Sequence, residues 1–240
     1  PGCQRSLMRA PVIFDQSRAD PFSELPEEQK HGRSTIFYAT DRNPTPGDPE
    51  GPYGRSRSDA LLLGQLNVEI GDGMPWDELM DKTIGPLGGK RPPLNLEDPT
   101  EFGPLLTTAP PRVVKAVTGD ARDDIEVRFM NRKDPGRAAF RFAEALNAEM
   151  EATAHEEIYV YIHGYLNSFN DAIESAASLH HYNGRRGAVI AFAWPSQKHL
   201  LDYLEDRESA TYAVSDLRQL LVFLSEETDA QRINIIAHSM

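Results

Sequence analysis

A serine at position 239 stands at the end of a short apolar run, Arg232-Ile233-Asn234-Ile235-Ile236-Ala237-His238-Ser239-Met240. A serine hydroxyl is a weak nucleophile. It needs a neighbouring base and a sharp strand-to-helix turn that pushes its oxygen forward. Such a turn usually reads Gly-x-Ser-x-Gly. Here Ala237 is small enough for the first glycine's place, and the second glycine's place falls past Met240. By itself, Ser239 could equally cap a helix that follows a buried strand. A second motif weighs against that plain reading. His163-Gly164-Tyr165 follows another apolar strand, two βα units earlier. A loop at that place can offer one backbone N–H to an oxyanion, and the residue after the nucleophile offers the other. The donors are then Tyr165, or Leu166, and Met240. Each such donor is worth on the order of a hundredfold in rate. Gly164 suits a backbone that bends sharply, although the same pair could be a simple strand-to-loop turn.

Neither His163 nor His238 reads as the base. A ring next to the nucleophile on a tight turn does not fold back onto it, and His163 is expected to brace the loop through hydrogen bonds. His180-His181 falls at a helix end, where a cation favours the dipole. Asp202, Asp206 and Glu208 read as surface charges or helix-start carboxylates. With no HExxH and no Cys or His pair at ligand spacing, no metal is expected. No GxxxxGK[ST] or GxGxxG loop opens a helix, and no cofactor is implied. Tyr165, Leu166 and Trp194 could line an acyl or aromatic pocket, or simply pack.

Three elements must hold these residues in place. Ile158-Tyr159-Val160-Tyr161-Ile162 and Ala188-Val189-Ile190-Ala191-Phe192 are continuous apolar runs, as is the segment before Ser239. Helices with apolar residues at helical spacing separate them, over about 168–181 and 207–226, and another precedes them over about 137–152. Ser168 and Asp171 mark the start of the first of these. Strands buried on both faces and alternating with helices predict a parallel sheet covered on both sides, an α/β fold. Upstream, Thr35–Thr40 and Leu61–Ile70 read as strands, with a loop over 41–53. Residues 71–111 hold eight prolines and read as an irregular insertion, a flap or lid. Two short antiparallel strands are expected at Val113–Val117 and Ile125–Met130. Residues 1–33 read as an extended leader.

The formal net charge is -12, from 37 acidic and 25 basic residues, which argues against nucleic acid as partner. The chain has one cysteine, so no internal disulfide can form. Pro1-Gly2-Cys3 is similar to the end of a bacterial lipoprotein signal, with Cys3 as the lipidated residue. Membrane attachment through Cys3 in a bacterial cell envelope is the expectation, and a cytoplasmic location the alternative.

Tyr38-Ala39-Thr40-Asp41-Arg42, Tyr53-Gly54, Ile158 to Phe169, Phe192-Ala193-Trp194-Pro195-Ser196, Asp206 to Ala210 and Ile236 to Met240 together resemble a bacterial α/β-hydrolase family, esterase- or lipase-like and of unknown function. The resemblance covers about 34–240. It implies an α/β-hydrolase-type three-layer sandwich, mostly parallel, with antiparallel strands at its N-terminal side. It also implies Ser239 as nucleophile, an oxyanion loop at Tyr165, and an acid and a histidine base beyond Met240. Residues 34–240 are then an incomplete domain, expected to be inactive alone, of a serine carboxylesterase acting on a small ester or acyl substrate. The competing expectation is a non-catalytic envelope protein that uses the same scaffold to bind a partner.

Overall fold

The computed structural model describes residues 5–11, 20–48, 51–84, 90–105, 136–196 and 203–238, and of 203–211 the backbone alone. Cys3, Ser239, Met240 and the strands expected at 113–117 and 125–130 lie outside the described residues.

Seven strands form one sheet. These are β1 (Arg33–Pro44), β2 (Tyr53–Ile70), β3 (Leu94–Leu96), β4 (Thr100–Pro104), β5 (Glu157–Ile162), β6 (Ala188–Phe192) and β7 (Arg232–Ala237). The helices are α1 (Trp76–Ile84), α2 (Arg137–Thr153), α3 (Phe169–Tyr182) and α4 (Tyr203–Glu227). The strand order is β3-β2-β1-β6-β5-β7, with β4 also paired to β2. β1 and β2 are antiparallel, while β1–β6, β6–β5 and β5–β7 are parallel. The chain is thus an α/β fold, a mostly parallel sheet flanked by helices with antiparallel strands at its N-terminal side.

β6 is buried on both faces, and β5 is buried or half-buried throughout, because helices cover both, whereas β7, expected to be buried, is exposed or half-buried along its whole length. On one side Phe37, Leu63, Val160, Ile190 and Phe192 meet Phe142, Leu146 and Met150 of α2 and Leu220, Phe223 and Leu224 of α4. On the other, Tyr38, Val68, Val189 and Ala191 meet Leu79 of α1 and Ala172, Ile173, Ala176 and Ala177 of α3. The small side chains of α3 let it lie close to the sheet. Its N-terminus carries a capping box. Ser168 accepts from the Asp171 amide, and the Asp171 carboxylate accepts from the Ser168 amide at 2.8 Å.

Several expectations are corrected. The hairpin is longer than the sequence suggested, since β1 continues to Pro44 and β2 begins at Tyr53. Register shifts on either side of Arg42 let the two strands stay paired past the polar residues. Where it is described, over 71–84 and 90–105, the stretch 71–111 is not irregular. It holds α1 and the two short strands β3 and β4, both antiparallel to β2. Four of its prolines mark element margins. Pro75 accepts the first bond of α1, Pro93 and Pro99 precede strands, and Pro104 closes β4.

Part of the leader is docked. Ser6 bridges Pro93, the Leu7 amide donates to Pro92 O, and Leu7 is wholly buried. Arg5 pairs with Asp171 and Glu174 of α3, and Tyr182 Oη donates to Met8 O at 2.7 Å. The histidines at the end of α3 are also not dipole-facing cations. His180 Nδ1 lies 3.0 Å from Ser34 Oγ and His181 Nε2 lies 3.1 Å from Thr83 Oγ1, both rings buried. Burial and then Arg185 lower His180 to about 4 and hold His181 well below the ordinary imidazole value, so both are neutral.

Candidate active site at the strand ends

β5 and β7 lie side by side and run the same way, with Ile162 opposite Ala237. Beyond that pair the His238 amide donates to Ile162 O at 2.9 Å. The strand leading to Ser239 and the strand leading to His163-Gly164 therefore finish on one rim of the sheet, about one strand spacing, roughly 4.8 Å, apart. Ser239 and Met240 themselves lie outside the described residues.

The 163–168 loop is tied down at most of its carbonyls. His163 is buried, and its Nδ1–H donates to Gly164 O at 2.7 Å. Its Nε2 lies 3.0 Å from Trp194 O and 3.5 Å from Arg42 Nη2. The ring stacks flat on Trp194, with centroids 5.0 Å apart, and Trp194 Nε1 donates to His163 O at 2.8 Å. Burial, and secondarily Arg42, pushes His163 down to about 3. A neutral ring with both nitrogens engaged internally braces the loop and does not serve as a base near neutral pH.

Asn167 Nδ2 donates to Gly164 O at 3.0 Å and to Tyr165 O at 3.1 Å. The Gly164 carbonyl is thus held from two sides, by His163 and Asn167. A peptide unit is planar and trans, so fixing that carbonyl aims the Tyr165 N–H the opposite way. Among the loop amides, Leu166 N–H is engaged, donating to Ser196 Oγ at 2.8 Å. Trp194 is buried against His163 and Tyr165, which makes it packing for the loop. The Leu166 side chain is exposed.

Two functional candidates escaped sequence reasoning. Arg42 is wholly buried and donates to three separate segments: Gly54 O at 2.9 Å, Ala193 O at 3.3 Å and Asn167 O at 2.8 Å. It ties the β1–β2 hairpin and the end of β6 to the loop that starts α3. Its one signal was its place in the Tyr38–Arg42 block of the family resemblance, and nothing local says what such a residue will meet. Next to it, Asp41 is also wholly buried, and neither carboxylate oxygen accepts a hydrogen bond from another residue. Burial and the facing Asp216 of α4 push it up to about 7, against the opposing pull of Arg42 and Arg57. Asp206 and Glu208 have no described side chains and Asp202 is not described. Among the described residues no group of three His, Cys, Asp or Glu side chains could hold a metal, and no helix is long and apolar enough to cross a membrane.

Comparison with curated proteins and with solved structures gave no match. A comparison with protein families gave one, to the family described as "Alpha/beta hydrolase of unknown function (DUF900)", over residues 138–240. The matched stretch runs from α2 to β7 and so contains the whole parallel βαβαβ unit, the braced His163–Ser168 loop and Ser239. Over residues 138–240, then, this α/β fold is similar to that alpha/beta-hydrolase family.

Proposed function

We propose that the protein is a serine hydrolase of the carboxylesterase or lipase-like type. In this reading Ser239 Oγ attacks the carbonyl carbon of an ester. The carbonyl electron pair moves onto oxygen, and the resulting oxyanion rests on the N–H groups of Tyr165 and Met240. Collapse of that intermediate expels the alcohol and leaves an acyl-serine, which water then cleaves. His163 and His238 are not its base, and no described residue is assigned as base or acid. The observation that carries the reading is the register of β5 and β7. It brings the His-Gly bend and the strand feeding Ser239 to the same rim, while His163 and Asn167 aim the Tyr165 amide.

The test is labelling of the full-length protein with a fluorophosphonate, followed by peptide mapping. An adduct on Ser239, lost in Ser239→Ala together with p-nitrophenyl ester cleavage, is the expected result. A full-length protein that takes no label, or takes it elsewhere, would sink the proposal.

A further inference from the structure

We propose that Ser196 is a positioning residue for the oxyanion loop: its hydroxyl holds the Leu166 amide, and through it the adjoining peptide that presents the Tyr165 N–H. This rests on the serine-hydrolase reading above and deepens it. Leu166 is a leucine in the left-handed region, at φ 64°, where a β-carbon is penalised by about 1–2 kcal/mol. Its side chain is 43% exposed, so side-chain burial does not compensate. What fixes the conformation is the backbone. The peptide between Tyr165 and Leu166 is gripped at both ends, its carbonyl by Asn167 Nδ2 and its N–H by Ser196 Oγ. The peptide before it is gripped at its carbonyl by His163 and Asn167. Two successive planes are thereby oriented, and the Tyr165 amide sits in the first of them.

Ser196 is itself anchored. It is wholly buried, and its carbonyl accepts from Arg55 Nη1 at 2.9 Å. Pro195 restricts the backbone before it, and Trp194 is stacked on His163. The serine therefore transmits the position of the β6 end to a loop 30 residues earlier. The same bond commits the Leu166 N–H to Ser196, which removes Leu166 as the loop's oxyanion donor.

The experiment compares full-length wild type, Ser196→Ala, Ser196→Thr and Ser239→Ala in fluorophosphonate labelling at several probe concentrations, with hydrogen exchange of the Tyr165–Asn167 amides read alongside. Loss of one such hydrogen bond corresponds to about a tenfold effect. Ser196→Ala is expected to label about tenfold more slowly at saturating probe, with the half-saturating concentration unchanged, and to exchange its Leu166 amide about tenfold faster. Ser196→Thr, which keeps the hydroxyl, is expected to restore both. Equal labelling of wild type and Ser196→Ala would overturn the role of Ser196 and leave Ser239 standing. Equal loss in the alanine and threonine variants would also overturn it, because the defect would then follow packing and not the hydroxyl. Wild type that fails to label while the Leu166 amide still exchanges faster in Ser196→Ala would overturn the hydrolase reading, and the catalytic meaning of Ser196 with it.

Discussion

Arg42 and Asp41 are neighbours in the chain with opposite fates. The guanidinium is buried among carbonyl acceptors, whereas the carboxyl is buried with none of its oxygens bonded by another residue. Replacing Arg42 with Met removes the donor from the partly buried carbonyls of Gly54 and Asn167, while Ala193 O keeps its bond from Thr40 Oγ1. An orphaned group costs about 1–3 kcal/mol, so a loss of about 2 kcal/mol is expected in urea unfolding. Asp41 predicts a pH effect of definite sign. Its folded value is about 7, against an ordinary aspartate near 4 in the unfolded chain. Between roughly pH 4 and 7 the native protein keeps a proton that the unfolded chain has released, so stability falls as pH rises through that window and is level above it. The cost is at most about 4 kcal/mol. Glu149 and Glu174 are raised as well, to about 7 and about 6, so the informative quantity is a difference. Stability of wild type minus that of Asp41→Asn, measured from pH 4 to 8, is expected to decline to pH 7 and then stay flat. A difference independent of pH would refute the buried-acid account.

Among the elements, α3 owes its start to local chemistry and its seat to small residues. The Ser168–Asp171 box is a four-residue signal, and Ser168→Ala is expected to cost about 1 kcal/mol in thermal or urea unfolding. That cap and the apolar runs of β5, β6 and β7 were legible because strands of a helix-covered parallel sheet have little freedom in composition, although β7 itself is only partly buried. The hairpin ends, α1, β3 and β4 were not, because their prolines carry opposite meanings inside an element and at its edge. The candidate site divides in the same way. The Ile162-His163-Gly164 bend is local and could be read. Arg42 holding Asn167 spans 125 positions, and no periodicity records a contact that distant. The His180-His181 pair misled because two rings at a helix end look solvated until Ser34 and Thr83 are brought in from elsewhere.

At the scale of the whole molecule, the sheet has a protected side and an open one. β3 is bridged by the strap formed by residues 5–8, whereas β7 pairs only with β5 among the described residues, and Ile235 on it is 52% exposed. An apolar edge strand without an inward charge, proline or bulge invites pairing with another chain. Light scattering across a concentration series is expected to show self-association of the 240-residue chain, and Ile235→Lys is expected to suppress it. Monodisperse wild type at the highest concentration would count against this. The strap has a consequence in time as well. Arg5 waits for Glu174, 169 positions away, and Met8 for Tyr182, 174 positions away. At typical elongation rates of about 5–20 residues per second, residues 5–8 leave the ribosome on the order of ten seconds or more before their seat on α3 exists. The strap is therefore fastened late, after the helix it rests on has been made.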